Sequence, residues 1–275
     1  MLQDIEPFHL QNEYRPLPPR SGDLVVVCSD QNIFIKKDKQ EWSLPQISQF
    51  PFLEPTYLFS IQDTRYYLLK DAAKFLPEGC ESQPLRFLRT AQPRQLSYGA
   101  LVGAQLFHWY EHRQFCGKCG TPMKKHDKER MLYCPQCGGA EYPKRCPAVI
   151  VAIVDGDRLL LARYAGSRKG SYALIAGFAE IGETIEETVR REVMEETGLR
   201  VKGLRYYKSQ PWPFSESLLF GFYAELDGSD EITLQKEELS EAVWFRRQEI
   251  PVEEDKISLT NEMILAFKNQ QLSFP

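Results

Sequence analysis

Residues 177 to 199 read GFAEIGETIEETVRREVMEETGL, seven glutamates in twenty-three positions with glycines at 177, 182 and 198. The stretch reads as loop, helix, loop. Gly177 opens a turn, Glu183 and Thr184 stand where a helix begins, Ile185 to Thr197 favour helix, and Gly198 stops it. Within that helix Glu192, Glu195 and Glu196 are spaced i, i+3 and i+4, so their carboxylates share one face. Like charges at that spacing cost about 0.2–0.5 kcal/mol per pair. One compensation is a hard divalent cation such as Mg²⁺, bound through carboxylate oxygens with positions left for water and phosphate. Arg191 is a second, able to hold a carboxylate by a bidentate pair. The plain alternative is a solvated acidic helix.

Around this segment AVIVAIVDGDRLLLARY (148–164) reads as strand, turn and returning strand. Downstream, LRYYKSQPWPF (204–214), LLFGFYAEL (218–226) and EAVWFR (241–246) read as strands, and SLTNEMILAFKNQQ (258–271) as an amphipathic helix. Strands with two helices suit an α/β sandwich better than a doubly wound sheet.

Upstream lie two CxxC pairs, Cys116 with Cys119 and Cys134 with Cys137, each followed by glycine. Two such knuckles turn four thiolates onto one ion, and zinc is the natural tenant. Iron also suits thiolates, and a redox pair is a third option. Four thiolates leave no open position, so the site is structural. His126 reads as a loop residue, and KKHDKER (124–130) as a solvated face. Cys28, Cys80 and Cys146 read as buried free thiols. Before the pairs, the proline cluster RPLPPR (15–20), the β-rich runs DLVVVCSD, NIFIKK and RYYLLK, and a helical pattern within 97–115 suggest a small α+β domain. The expected division is an N-terminal domain over 1–110, a ribbon over 111–143 and a third domain over 144–275.

The chain has 275 residues, a net charge of −4, 43% apolar and 26% charged residues. The negative balance argues against broad attraction to nucleic acid, which needs a Lys and Arg surplus. The start, MLQDIEPFHL, lacks the pattern of a signal peptide, and the run PAVIVAIV is too short to span a bilayer, so no membrane association is expected and the cytoplasm is the expected location.

The spacing Gly177, five residues, Glu183, seven residues, REVMEETGL resembles the full signature of the Nudix hydrolases. That resemblance implies an α/β/α sandwich, and hydrolysis of a diphosphate linked to another group with Mg²⁺ or Mn²⁺ and water. It implies that Glu192, Glu195 and Glu196 bind the catalytic metal, with Glu196 as general base, and that Glu183 and Arg191 organise the loop and helix. SQPWPFSES (209–217) resembles the SQPWPFPxS motif of the NADH pyrophosphatase subfamily, with Ser215 in place of the usual proline, which loosens the backbone there. The ribbon, the YPK after it and EELSEAVWF extend the likeness over residues 116 to 275. The expected fold class is thus α+β, a Nudix sandwich preceded by a four-cysteine zinc ribbon and a small N-terminal domain. The subfamily implies a further metal-binding role for Glu238 and substrate contacts for Phe178, Tyr142, Gln210 and Trp212. It implies cleavage of NADH or NAD⁺ to nicotinamide mononucleotide and AMP, removal of NAD caps from RNA 5′ ends, one structural Zn²⁺ per chain, and a homodimer. A Nudix hydrolase of ADP-ribose or other nucleoside diphosphate derivatives is the alternative enzyme, and a noncatalytic ribbon protein on a decayed scaffold the alternative of another class.

Overall fold

The computed structural model describes residues 1–39, 41–166 and 172–271. They form two compact units, one of Met1–Gln3, Arg145–Trp212 and Ser217–Pro275, the other of Asp4–Lys144 and Pro213–Glu216.

The first unit is organised by one strand, Cys146–Asp155. It runs parallel to Ser217–Leu226 and antiparallel to Arg158–Tyr164 and Ile175–Phe178. Val201–Trp212 and Leu239–Arg246 complete a mixed sheet at its two edges. Side chains alternate across a strand, and here both faces are buried, which is why VIVAIV is an unbroken apolar run. Val149, Val151 and Ile153 pack with Leu160, Ala162 and Ile175 against Val189 and Val193 of the helix Ile185–Thr197. Ile150, Ala152 and Val154 pack with Leu159 and Leu161 against Met263, Ile264 and Phe267 of the helix Leu259–Lys268. Each such side chain removed from water contributes about 1.5–3 kcal/mol. The result is the expected α/β/α sandwich, with the acidic helix on one face.

That helix has both ends built in. Thr184 Oγ1 accepts from Glu187 N at 3.2 Å while Glu187 Oε2 accepts from Thr184 N at 2.7 Å, a reciprocal capping box. At the other end Gly198 takes φ +71° and its N–H reaches Met194 O, a conformation that favours glycine.

In the second unit, sheets built around Pro55–Ile61 with Thr64–Leu69 and around Asn32–Asp38 with Cys80–Pro84 share a unit with the helix Arg94–His112 and the small ribbon sheet. The helix starts three residues before the expected stretch and ends three before its end. Phe115 has already turned into a bridge with Pro122. A Cβ at Gly99 would stand 2.6 Å from the Tyr66 ring, and one at Gly103 2.5 Å from Val26 Cγ2, so these glycines let the helix settle on the sheet. Of the three unpaired cysteines only Cys28 is buried as expected. Cys80 and Cys146, each the first residue of a strand, are half-buried. Among the described residues no helix is long and apolar enough to cross a membrane.

Candidate metal centres and active site

The two knuckles fold alike. Gly120 N donates to Cys116 O and Gly138 N to Cys134 O, with φ of +71° and +72° at the two glycines. These turns aim the thiols inward, so that all four Sγ atoms lie within 4.8 Å of one another. Cys116 and Cys137 are 3.5 Å apart and Cys119 and Cys134 3.4 Å, close to the roughly 3.8 Å edge of a tetrahedron with Zn–S bonds of 2.3 Å. Hydrogen bonds with Thr121 draw the Cys119 thiol down to about 6 and backbone N–H groups lower Cys116, while at Cys137 the Gly139 N–H is outweighed by hydrogen bonds with Cys116 and Cys134, which push it up to about 11. The donor set and its geometry fit zinc. His126 keeps to its loop, its Nδ1 accepting from Lys128 N at 3.3 Å and Glu129 N at 3.2 Å.

The acidic helix is arranged differently. Arg191 is its hub. Its Nε and Nη2 donate to the two oxygens of Glu183 at 2.5 and 2.9 Å, its Nη1 to Glu192 at 2.7 Å and Glu195 at 2.9 Å, and its Nη2 also to Phe178 O at 2.9 Å. The sequence suggested one carboxylate for this arginine; it holds three and the end of the neighbouring strand. Glu183 also accepts from Glu180 N and Thr188 Oγ1, and the Arg191 guanidinium beside it holds its carboxyl down at about 2. Glu183 is therefore a fixed anion that clamps the loop to the helix.

Glu196 lies outside this clamp. It is 1% exposed, and neither carboxylate oxygen has a hydrogen-bond partner. Burial first, then the charges of Glu192, Glu238 and Glu195, push its carboxyl up to about 8. Glu192, also buried, is raised in the same direction, by burial. A buried oxygen without a partner forfeits its hydration, a cost the fold accepts where something else binds. Two unpartnered oxygens, an all-oxygen donor set and a neighbouring buried carboxylate fit a hard divalent cation. Among the described residues the four thiols are the group gathered within 4.8 Å, and the glutamates form no such closed cage.

Glu238 joins from another segment. Thr233 N donates to Thr197 O at 2.8 Å and Gln235 N to Glu196 O at 3.1 Å, so the loop caps the last carbonyls of the acidic helix. Glu238 itself is exposed, and its charge reaches both Glu192 and Glu196. The reason for Gly177 is steric. A Cβ there would stand 2.0 Å from Glu192 Cδ and 2.2 Å from both its oxygens, so the carboxylate occupies the space a side chain would need. Tyr164 was not singled out by sequence. Its hydroxyl donates to Leu174 O at 3.1 Å, and burial, then the Glu196 charge, keep it protonated. Its signal, one tyrosine ending a strand, is too generic to be found in advance.

The expected substrate contacts divide. Phe178 is 52% exposed at the end of its strand, and Trp212 is half-buried as the last residue of its strand. Tyr142 belongs to the other unit and donates its hydroxyl to Glu129 at 3.0 Å. Gln210 faces inward. It is fully buried, its Oε1 accepting from Leu259 N at 2.7 Å and its Nε2 donating to Ile257 O and Gln3 Oε1. Its amide ties an edge strand to the start of the last helix, and no polar atom of it remains for a ligand.

Comparison with known families matches residues 144–266 to the NUDIX domain and 112–142 to the NADH pyrophosphatase zinc ribbon domain. The NAD-capped RNA hydrolases NudC of Salmonella typhi and Citrobacter koseri are each 47% identical to this chain over 150 residues. The match covers 54% of this chain and 58% of either relative, little more than half their length. The crystal structure of a NUDIX hydrolase from Nitrosomonas europaea has a TM-score of 0.48 and 24% identity, covering 57% of this chain and 92% of that one.

Proposed function

Because the chain carries a Nudix domain preceded by an NADH pyrophosphatase zinc ribbon, we propose that it is a metal-dependent hydrolase of the diphosphate in NADH and NAD⁺, able also to remove NAD caps from RNA 5′ ends. The observation that carries this reading is Glu196, buried and unpartnered on the helix of the Nudix signature. SQPWPF and the likeness to NudC relatives named NAD-capped RNA hydrolases favour NAD over other diphosphates.

Glu192, Glu195, Glu196 and Glu238 would hold Mg²⁺ or Mn²⁺. When bound, the cation neutralises the diphosphate and acidifies water. Glu196 takes the proton from the attacking water as the new oxygen–phosphorus bond forms and the bridging phosphorus–oxygen bond breaks, leaving AMP and nicotinamide mononucleotide. Arg191 keeps Glu192 and Glu195 oriented, and Glu183 keeps Arg191 oriented. Phe178, Trp212 and Tyr142 are assigned to the rings of the substrate, for which flat aromatic faces are suited. The three-part division at 110 and 143, a homodimeric state and a cytoplasmic location belong to the same proposal.

The test is a substrate panel of NADH, NAD⁺, ADP-ribose and an NAD-capped short RNA, with and without Mg²⁺ or Mn²⁺, read by chromatography. Metal-dependent release of AMP and nicotinamide mononucleotide is expected, with the relative RNA rate ranking the two substrates. Preferred cleavage of ADP-ribose would overturn the NAD assignment and keep the acidic helix as the metal site.

A further inference from the structure

A cavity of about 370 Å³ in the second unit lies between the end of the helix Arg94–His112, the ribbon and the strand Thr64–Leu69. Three cations, Lys70, Arg113 and Lys125, and one acid, Glu111, line it. Arg113 is matched by Glu141 at 3.6 Å, and Glu111 accepts from Gln114 at 3.1 Å. The two lysines have no such match. Lys125 Nζ donates to Thr56 Oγ1 and sits 5.7 Å from the Tyr110 ring, and among the described residues no carboxylate lies within ion-pair distance of either lysine. Burial lowers Lys125 from the ordinary lysine range; the Glu54 charge opposes this, and by more than the Lys70 charge adds to it.

Two ammonium groups lining one cavity, neither within ion-pair distance of a carboxylate, leave donors free for an anion placed between them. The adjoining cavity of about 460 Å³ makes the contrast. It shares Lys70 and Glu111 with the smaller cavity, but there Lys74 already has Asp71 at 2.8 Å and Asp30 lines the same wall. The smaller cavity adds apolar surface beside its cations, from Tyr110, Met123 and Phe115, which is 63% exposed at its wall. A flat ring laid there gains contact with an aromatic face, and cations beside aromatics are how single nucleotides are held without sequence preference. The volume falls in the range of small-molecule sites, roughly 300–1,000 Å³.

We propose that this cavity binds a nucleoside 5′-phosphate unit, its phosphate between Lys70 and Lys125 and its base against Phe115 and Tyr110. The unit is either a free mononucleotide or one nucleotide of an RNA strand, and the site is separate from the acidic helix.

The test uses the full chain and probes without a diphosphate: AMP, adenosine, inorganic phosphate and a 5′-phosphorylated six-nucleotide RNA, titrated by calorimetry against wild type, Lys70→Gln, Lys125→Met and Phe115→Ser. Circular dichroism checks folding, and Lys70 and Phe115 are exposed, so at least two variants keep the fold. The expected result is an AMP or RNA site weakened roughly tenfold or more by either lysine change, with adenosine and phosphate alone each binding more weakly than AMP. NADH turnover by Lys70→Gln stays at the wild-type value, which separates this site from the hydrolytic one. RNA binding at least tenfold tighter than AMP assigns the site to an RNA strand, and comparable binding assigns it to free nucleotide. AMP and RNA affinities unchanged in both lysine variants, or adenosine binding as tightly as AMP, would overturn the proposal.

Discussion

The cysteine ribbon and the acidic helix both gather metal-ligating side chains, and they do so in opposite ways. The ribbon brings four soft thiols together, within 4.8 Å of one another, on turns whose backbone N–H groups already favour the thiolate. Nothing is left over for chemistry. The helix and the loop before it divide their carboxylates: Glu183 of the loop with Glu192 and Glu195 on Arg191, and Glu196 buried with both oxygens unpartnered. Closing a site gives stability, and leaving one carboxylate unsatisfied gives reactivity. The largest effect should follow from opening the closed site. Cys134→Ser removes a buried ligand where bound structural zinc contributes about 10–16 kcal/mol to folding. The expected outcome is loss of the ribbon's zinc, measured by metal analysis, and a sharp fall in folded yield.

Glu196→Gln tests the open site. The amide keeps the shape, carries no charge and cannot accept the proton. Hydrolysis of NADH should fall about 10²–10⁴-fold, while the melting temperature of the metal-free variant at pH 8 should rise, because a buried charge without a partner has been removed. Unchanged turnover would remove Glu196 from the role of base. A lowered melting temperature would mean that its charge is already compensated in the free protein.

Most of this contrast was legible in the sequence because both sites are local. CxxC fixes the knuckle within four residues, and the spacing of Glu192, Glu195 and Glu196 fixes a helix face, so neither depends on the rest of the fold. Five strands and the two helices of the first unit were readable from apolar runs and capping residues; the strand Ile175–Phe178 was not, because its Gly177, paired with Val149, reads locally as the opening of a turn. What could not be read depends on distant partners. Gln210 sits in a motif suggestive of substrate, yet its amide meets Leu259, Ile257 and Gln3, residues far from it in the chain. The reach of Arg191 to Phe178 O and the pinning of Gln235 on Glu196 O are likewise products of packing. The helix Arg94–His112 begins directly after its N-cap Pro93 and ends before Phe115 bridges to Pro122, and the contacts of Gly99 with Tyr66 and of Gly103 with Val26 are likewise encoded by no local pattern.

The close approach of Gly177 to Glu192 sharpens the comparison at smaller cost. In Gly177→Ala the new methyl must displace the Glu192 carboxylate, which is buried and held by Arg191, so the clamp gives way before the backbone does. Overpacking of this kind costs about 1–3 kcal/mol, and a misplacement near 1 Å costs roughly a hundredfold in rate. Both should appear together, as a lower melting temperature and a lower kcat for NADH. Loss of rate with unchanged stability would show that Glu192 moves freely and that Arg191 does not hold it.

The smallest effect is a change of slope with pH, and it discriminates most finely between the two sites. Glu196 has its carboxyl raised to about 8 by burial and by Glu192, Glu238 and Glu195, against the ordinary 4.5 of an unfolded glutamate. Between those values the metal-free folded chain binds a proton that the unfolded chain has released, so stability falls as pH rises. The contribution is fully present below about 4.5 and is lost through about 8. Glu183, held down at about 2, acts the other way, its contribution present above 4.5 and lost only in strong acid, so it leaves this window flat. The melting temperature of the zinc-loaded, Mg²⁺-free protein should therefore decline from pH 5 to pH 8.5, and the decline should be shallower in Glu196→Gln. Saturating Mg²⁺ should flatten it as well, because a cation that takes the place of the proton binds better as pH rises. A slope identical in wild type and Glu196→Gln would mean that Glu196 is ionised in the free fold, and the open site would then owe its reactivity to something other than an unsatisfied carboxylate.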